Sequence, residues 1–526
     1  MHSPQNSGDP PGGPLGRAAF LLTVVLAGSI VWVAPRPPMG DLPEHAAQVA
    51  LLRDMALGRC AWADLVRINC FTPYLTGYAL AFALSLVLPV IAALKAALSI
   101  AYYAFVWACL ALRKSFSGDP RLDWLFVPGF FGFAFQYGLY PFLIAIPVSL
   151  GFLLVAKRFA EGPTRRRAVA VVAAGVALFF SHGIAFVFAC GIGAGFLLIR
   201  RETALRRAWT PAPYVILGVL AVTHFVYVKA HDPVISIVDQ RLLDVEWDWF
   251  KPWGWHRAVN FPLFALVATG KDPIPILCVL VVAAAPWLLG LRPRRDDPVR
   301  WIPLLMVAVA WFLVPAQAMT TNYLSQRFAI LLLPAYAFLF PRPDGAGARS
   351  PSGDRRSALV QTALALACWA FLALVAVRQR EFARESAPFE EVLSAAEPGE
   401  RALGLVYSPE SAVVRNPYTF HVYPVWYEVD RRGFVDFNFA YFPPEMVRFR
   451  PGHFPPVPPG FDERPETFNW RTLQARRYRY FFVRHLTPLP DGFFENEECR
   501  VVLRKQAGAW SLFERTECSE GEHPGP

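Results

Sequence analysis

The sequence predicts an α-helical, polytopic membrane protein with a small α/β domain at its C-terminal end. Three observations carry that reading. The chain is 55% hydrophobic and only 17% charged, with a mean hydropathy of +0.33, where a soluble globular chain carries about 25% charged residues. Several apolar runs approach the about 20 residues that a bilayer-crossing helix needs. The positive charge, net +10, clusters in short loops between those runs, as the positive-inside rule describes. That distribution argues against a nucleic-acid partner and implies the lipid bilayer instead.

Residues 1–16 are rich in Pro, Gly and Ser and read as a disordered N-terminus. Ala18 to Ala34 is longer than a typical signal-peptide core. It runs directly into Pro35-Arg36-Pro37-Pro38 with no small-residue cleavage site, so it reads as a retained membrane helix. The transmembrane region extends over 17–377 with about 10–12 spans. A first outer loop covers 35–72. Pro89 and Lys95 mark a turn between two spans. The piece 124–137 is interrupted by Gly129 and Gly132. Counting it as a span would put basic Lys157 on the wrong side, so it is expected not to cross. Ser181-His182-Gly183 joins two short spans. An outer, Trp-rich loop covers 230–260, and Leu359 to Val377 is the last span.

From 378 to 526 the character changes. Diproline loops (Pro443-Pro444, Pro455-Pro456, Pro458-Pro459) alternate with runs that read as strands: Arg401 to Tyr407, Tyr478 to Arg484, Arg500 to Arg504 and Trp510 to Glu514. This predicts a small extramembrane domain on the outer face, without a catalytic signature of its own. Of eight cysteines, Cys109, Cys190, Cys278 and Cys368 fall in apolar spans as small hydrophobes. The others fall in outer regions, where an oxidising compartment preserves disulfides. Two bridges are expected, Cys60–Cys70 and Cys499–Cys518, the second across a hairpin turning near Ala507-Gly508.

The densest charge in this apolar chain follows the first helix, in Gly40-Asp41-Leu42-Pro43-Glu44-His45. Asp-x-x-Glu before a helical pattern has the form of a capping box. The helix is expected from Leu42 to Leu57, with Gly58 as its stop. Leu42, Ala46, Val49, Leu52 and Ala56 make one apolar stripe, which predicts an amphipathic helix lying on the membrane surface. Asp41, His45 and Gln48 share the other face. A carboxylate one turn from a histidine can cap, act as a general base or supply two ligands to a divalent metal.

A first membrane helix, an acidic motif immediately after it, many hydrophobic spans and an outer C-terminal domain together resemble the GT-C superfamily. These are integral-membrane glycosyltransferases that use lipid-phosphate-linked sugars. The Gly40–His45 string is similar to the Asp-x-Pro-x-His string of uncharacterised bacterial members. The resemblance implies transfer of a sugar from a polyprenyl-phosphate donor to a glycan, lipid or protein acceptor. The transfer would occur at the outer face of a bacterial inner membrane, with the C-terminal domain periplasmic. It implies Asp41 as base or metal-site residue, supported by His45 and Glu44, and a divalent metal such as Mg or Mn. A second acidic motif in a later outer loop and the Trp-Trp-Asp string of oligosaccharyltransferases are not found.

Other positions fit the same chemistry. Lys251 and Arg257 in the Trp-rich loop suit donor phosphates, and Asp244 or Glu246 suits a metal site shared with Asp41. Against this, Trp247, Trp249, Trp253 and Trp255 also suit an interfacial anchor. Arg327 either binds a phosphate in fork geometry or snorkels to headgroups. His182, Gln136, Tyr137 and Tyr140 lie at breaks in apolar sequence that can line a cavity. Walker A, His-Glu-x-x-His and Gly-x-Ser-x-Gly motifs are missing, which argues against nucleotide-driven transport, zinc proteolysis and serine hydrolysis. The competing class is a non-enzymatic membrane protein, either a polysaccharide or lipid transporter or an assembly scaffold. A further alternative is a degenerate glycosyltransferase fold that only binds a lipid-linked glycan. The lack of internal repeats and of charge within the spans speaks against a transporter.

Overall fold

The computed structural model describes residues 13–200, 208–231, 254–266, 272–318, 321–343, 351–414 and 416–519. Among them, five helices are long and apolar enough to cross a membrane: Leu15–Trp32, Val90–Ser115, Tyr140–Glu161, Ala212–His231 and Arg355–Ser394. Five shorter apolar helices accompany them: Leu75–Ser85, Gly183–Ile199, Pro273–Leu288, Pro298–Leu313 and Gln326–Phe338. Their outer faces are apolar. Only 11% of the Ala212–His231 window is buried inside the protein, and Val215, Val219, Val222 and Val226 stand exposed along it. Contiguous apolar surface of that kind suits lipid rather than water.

Tyr140–Glu161 is the central post, packed against Val90–Ser115, Arg165–Phe179 and Gly183–Ile199. The 124–137 piece breaks into three short turns, Pro120–Leu125, Phe126–Gly129 and Phe133–Tyr137. Each is too short to span, and nearly all of their residues are buried. Lys95 does not mark a turn. Pro89 precedes the Val90–Ser115 helix, and Lys95 lies inside that helix, donating to the Ala34 carbonyl at 2.5 Å.

Two boundaries differ from those expected. The first helix is Gly13–Ser29, so it takes in residues 13–16; residues 1–12 lie outside the described residues. The helix expected to end at Val377 runs unbroken from Pro351 to Ser394. Its last turns are core of the C-terminal domain, with the Phe389 ring 4.7 Å from Trp510 and 4.9 Å from Tyr423. Apolar residues on both sides of position 378 keep one helix bridging two packing environments.

The C-terminal domain holds a five-stranded mixed sheet of order β3-β2-β5-β7-β6. Its strands are β2 (Arg401–Val406), β3 (Phe434–Asp436), β5 (Tyr480–Arg484), β6 (Cys499–Ala507) and β7 (Trp510–Cys518). β2 is parallel to β3 and β5, and β7 is antiparallel to β5 and β6. A separate pair joins the first loop to this domain. There β1 (Val66–Ile68) runs antiparallel to β4 (Val447–Phe449). Arg36 adds a second tie, its Nη2 lying 2.7 Å from Glu390 and 2.8 Å from Asp430.

The β6–β7 register places Cys499 opposite Cys518, and the two form a disulfide. The expected Cys60–Cys70 bridge is not formed, and both are free thiols. The extended β1 strand lies between them. Asn69 continues it by donating to the Met446 carbonyl at 2.7 Å, which holds Cys70 beside the C-terminal domain.

Candidate functional site

The Leu42–Ala56 helix sits between the apolar helices and the C-terminal domain. Every residue from Leu42 to Leu52 is buried, so the expected surface helix is an interior one. The C-terminal domain covers its polar face. Gln48 exchanges hydrogen bonds with Val447, and the Glu44 Oε2 accepts the Phe439 N–H at 2.9 Å. The helix stops as expected near Gly58, which has φ +66°.

The capping box is not formed. Asp41 makes no side-chain cap, and its backbone (φ −85°, ψ −4°) is already helical, whereas a capping residue adopts extended backbone. Pro43 removes one N–H that a cap would serve. The Asp41 N–H goes to the Tyr137 carbonyl at 3.3 Å, and the Glu44 carboxylate has turned to Phe439. Two glycines permit this close approach. A Cβ on Gly138 (φ +96°) would lie 2.9 Å from the Asp41 nitrogen, and one on Gly40 would lie 3.2 Å from the Tyr137 oxygen.

With capping excluded, the Asp41 side chain is half-buried and faces a cleft of about 170 Å³. Asp41, His45, Tyr74, Tyr137, His182 and Arg327 line the side nearer the apolar helices. The C-terminal domain supplies the opposite side, including His421, Phe439, Glu445, Asp462 and Glu463. Arg327 is the only Arg or Lys among the described lining residues. It is 4% exposed and held by the carbonyls of Tyr323 and Asn322, at 3.2 and 2.6 Å. Its guanidinium lies 5.7 Å over the Phe142 ring.

Burial pushes the Asp41 carboxyl up to about 8; Arg327 draws it down, while Asp462 and Glu463 raise it. Burial likewise lifts Glu445 to about 8 and Asp462 to about 6. Glu44 is raised well above the usual carboxylate range by burial and by the nearby Glu428. His45 moves the other way, down to about 3, because burial disfavours its cation. Burial therefore favours the neutral forms of Asp41, Glu445 and His45.

The remaining expected residues divide. His182 lines the cleft while starting the Gly183–Ile199 helix, its Nδ1 accepting the Ala185 N–H at 3.4 Å. Gln136 is not a lining residue. Its amide is spent on the Phe131 and Leu266 carbonyls at 3.1 and 3.2 Å. Tyr140 stands behind the wall, its ring 5.7 Å from that of His45. Arg257 does not reach the cleft; its Nη2 donates to Ser325 Oγ at 2.9 Å and to the Val314 carbonyl at 3.2 Å. Lys251, Asp244, Glu246 and the tryptophans at 247, 249 and 253 lie outside the described residues.

Among the described residues, no group of three or more His, Cys, Asp or Glu side chains is arranged to hold a metal ion. Glu246 and Asp244, expected to share a metal site with Asp41, lie outside the described residues.

Sequence reasoning missed the half of the cleft contributed by the C-terminal domain. The available signal was acidic residues inside the diproline loops, Pro443-Pro444-Glu445 and Pro458-Pro459-Gly460-Phe461-Asp462-Glu463. Proline-stiffened loops hold side chains in place at low entropic cost.

No protein-family model matches this chain, and no curated protein does. Among solved structures, it is similar to the arabinofuranosyltransferase AftD from Mycobacteria, determined by single-particle cryo-EM. Identity is 13% and the TM-score is 0.47. The match covers 95% of this chain and 40% of AftD, so the chain spans well under half of that protein's length. A likeness this slight carries no function.

Proposed function

We propose that the chain is a membrane glycosyltransferase of the GT-C type. It takes a sugar from a polyprenyl-phosphate donor and transfers it to an acceptor hydroxyl at the outer face of a bacterial inner membrane. The C-terminal domain is then periplasmic. One observation carries this reading. Asp41, relieved of helix capping, shares a cleft with the buried Arg327, which makes no ion pair among the described residues.

Glycosyl transfer needs a group to take the acceptor's proton and a cation to receive the charge developing on the leaving phosphate. A carboxyl tuned close to working pH suits the first task, and Asp41 supplies it. A guanidinium fixed by backbone carbonyls suits the second, because its position needs no reorganisation as charge develops. Asp462 and Glu463 line the same cleft, and in this reading they accept hydrogen bonds from acceptor hydroxyls.

The test uses membranes holding the full chain or its Asp41→Asn variant, with synthetic short-chain polyprenyl-phosphate hexoses and pentoses as donors. Loss of transfer in the variant is expected. Transfer at the wild-type rate would show that Asp41 is not the base. Binding of a lipid-linked sugar with no transfer by either protein would make this a glycan-binding fold.

A further inference from the structure

Two cleft-lining side chains, His45 and Glu445, are joined through the buried Tyr78 into a connected line that the assignment above leaves unused. His45 Nδ1 lies 2.7 Å from the Tyr78 hydroxyl, and that hydroxyl is hydrogen-bonded to Glu445. Exposures are 3%, 0% and 3% respectively. The three come from separate places: the Leu42–Ala56 helix, the Leu75–Ser85 helix and the diproline loop before β4. Tyr140 and Phe439, at 5.7 and 5.2 Å, fix the plane of the His45 ring. With Nδ1 committed to Tyr78, the ring still lines the cleft. Its Nε2 has no protein partner among the described residues.

A tyrosine hydroxyl has one proton to give, so Tyr78 donates to one neighbour at a time. When Glu445 is ionised, Tyr78 donates to it, and the Tyr78 oxygen accepts from His45 Nδ1–H. Nε2 is then left with its lone pair. When Glu445 is protonated, its O–H donates to Tyr78, and Tyr78 donates to Nδ1. Nε2 then carries the hydrogen. The imidazole is neutral in both arrangements, as its burial requires.

We propose that Tyr78 and Glu445 are positioning residues that set the tautomer of His45. With Glu445 ionised, the Nε2 lone pair accepts a hydrogen bond from a substrate hydroxyl in the cleft. That the substrate is hydroxylated rests on the glycosyl-transfer reading; the tautomer control does not. The charged and titratable groups around Glu445 are Tyr78, Arg448, Asp41 and Tyr74, and His182 faces His45. Burial places the Glu445 ionisation at about 8, within reach of measurement.

The experiment uses the full chain in lipid nanodiscs with ¹⁵N-labelled histidine. The ring nitrogens are read by NMR, and His45 is assigned by difference against His45→Gln. On the acid side of the Glu445 ionisation, the proton is expected on Nε2; on the alkaline side, it is expected on Nδ1. Glu445→Gln, which keeps the shape but cannot ionise, and Tyr78→Phe, which cuts the line, should each abolish the swap. A wild-type ring that keeps one tautomer throughout would overturn the proposal, as would a swap that survives both substitutions. Because the readout needs no substrate, failure of the transferase reading leaves this result standing, and the reverse also holds.

Discussion

Gln48 and Val447 exchange two hydrogen bonds. The Gln48 amide donates to the Val447 carbonyl at 3.1 Å, and its oxygen accepts the Val447 N–H at 2.7 Å. A side chain thereby takes the place of a strand partner along β4. The polar face of the Leu42–Ala56 helix is therefore shared between two tasks, with Gln48 and Glu44 holding the C-terminal domain while Asp41 and His45 face the cleft. Replacing Gln48 with Leu strands both Val447 backbone groups in a buried setting, at a cost of about 1–3 kcal/mol each. Thermal and denaturant unfolding of the purified protein should show a net loss of roughly 2–4 kcal/mol.

Asp41→Asn should separate stability from activity. The residue makes no side-chain cap, and Asn ranks with Asp at helix starts, so at about pH 4 and below, where the carboxyl is neutral in the folded chain and largely so in the unfolded one, unfolding should move by no more than about 0.5 kcal/mol. Transfer should fall roughly 100-fold or more if Asp41 is the base. The wild-type rate should rise with pH towards a midpoint near the Asp41 value of about 8, because a base works only when ionised.

Stability itself should fall as pH rises. Asp41, Glu428 and Glu445 each sit at about 8 in the folded chain, above their ordinary values near 4. Between those limits the unfolded chain has released these protons and the folded chain retains them, so raising pH favours unfolding. His45 has the opposite sign. Its folded value of about 3 lies below 6.5, so it favours unfolding as pH drops below 6.5. Three acids outweigh one histidine, and thermal midpoints should decline from about pH 5 to about pH 8. Asp41→Asn and Glu445→Gln should each flatten that slope. A midpoint that climbs over this interval would contradict the burial of these carboxyls.

Thiol alkylation followed by mass spectrometry checks the cysteine assignment. In the folded, unreduced protein, Cys70 is exposed and should react first, followed by the partly buried Cys60. Cys499 and Cys518 should react only after reduction. Their bridge closes a loop with a sequence separation of 19, so opening it should lower the stability of the C-terminal domain by about 3 kcal/mol.

Much of the framework was legible because it depends on local composition. Apolar runs and the strands expected at 401–407 and 478–484, found at Arg401–Val406 and Tyr480–Arg484, follow from neighbouring residues. The pattern Asp-x-x-Glu fits a capping box in sequence, and capping is one of three roles it leaves open for Asp41. What decided otherwise was Phe439, which competes for the Glu44 carboxylate from a distance of 395 residues. The amphipathic reading of the 42–56 helix failed for the same reason. A polar face covered by another domain looks, in sequence, like one covered by water. Glu445, Asp462 and His421 gave no periodic signal because they sit in irregular loops, where position is set by proline stiffness and distant pairing. The Cys60–Cys70 bridge was inferred from shared exposure, but β1 separates the two positions.

The pairing of β1 with β4 has a consequence for the order of events as the chain is made. The Leu42–Ala56 helix is synthesised near the start, while its partners Phe439, Glu445 and Val447 come hundreds of residues later. A ribosome that stalls before the diproline loop at 443 leaves the early membrane helices in place but only one wall of the cleft. Both walls are present only once the chain has been made past Glu463, and a product ending before 443 keeps Asp41 and Arg327 with no opposite wall.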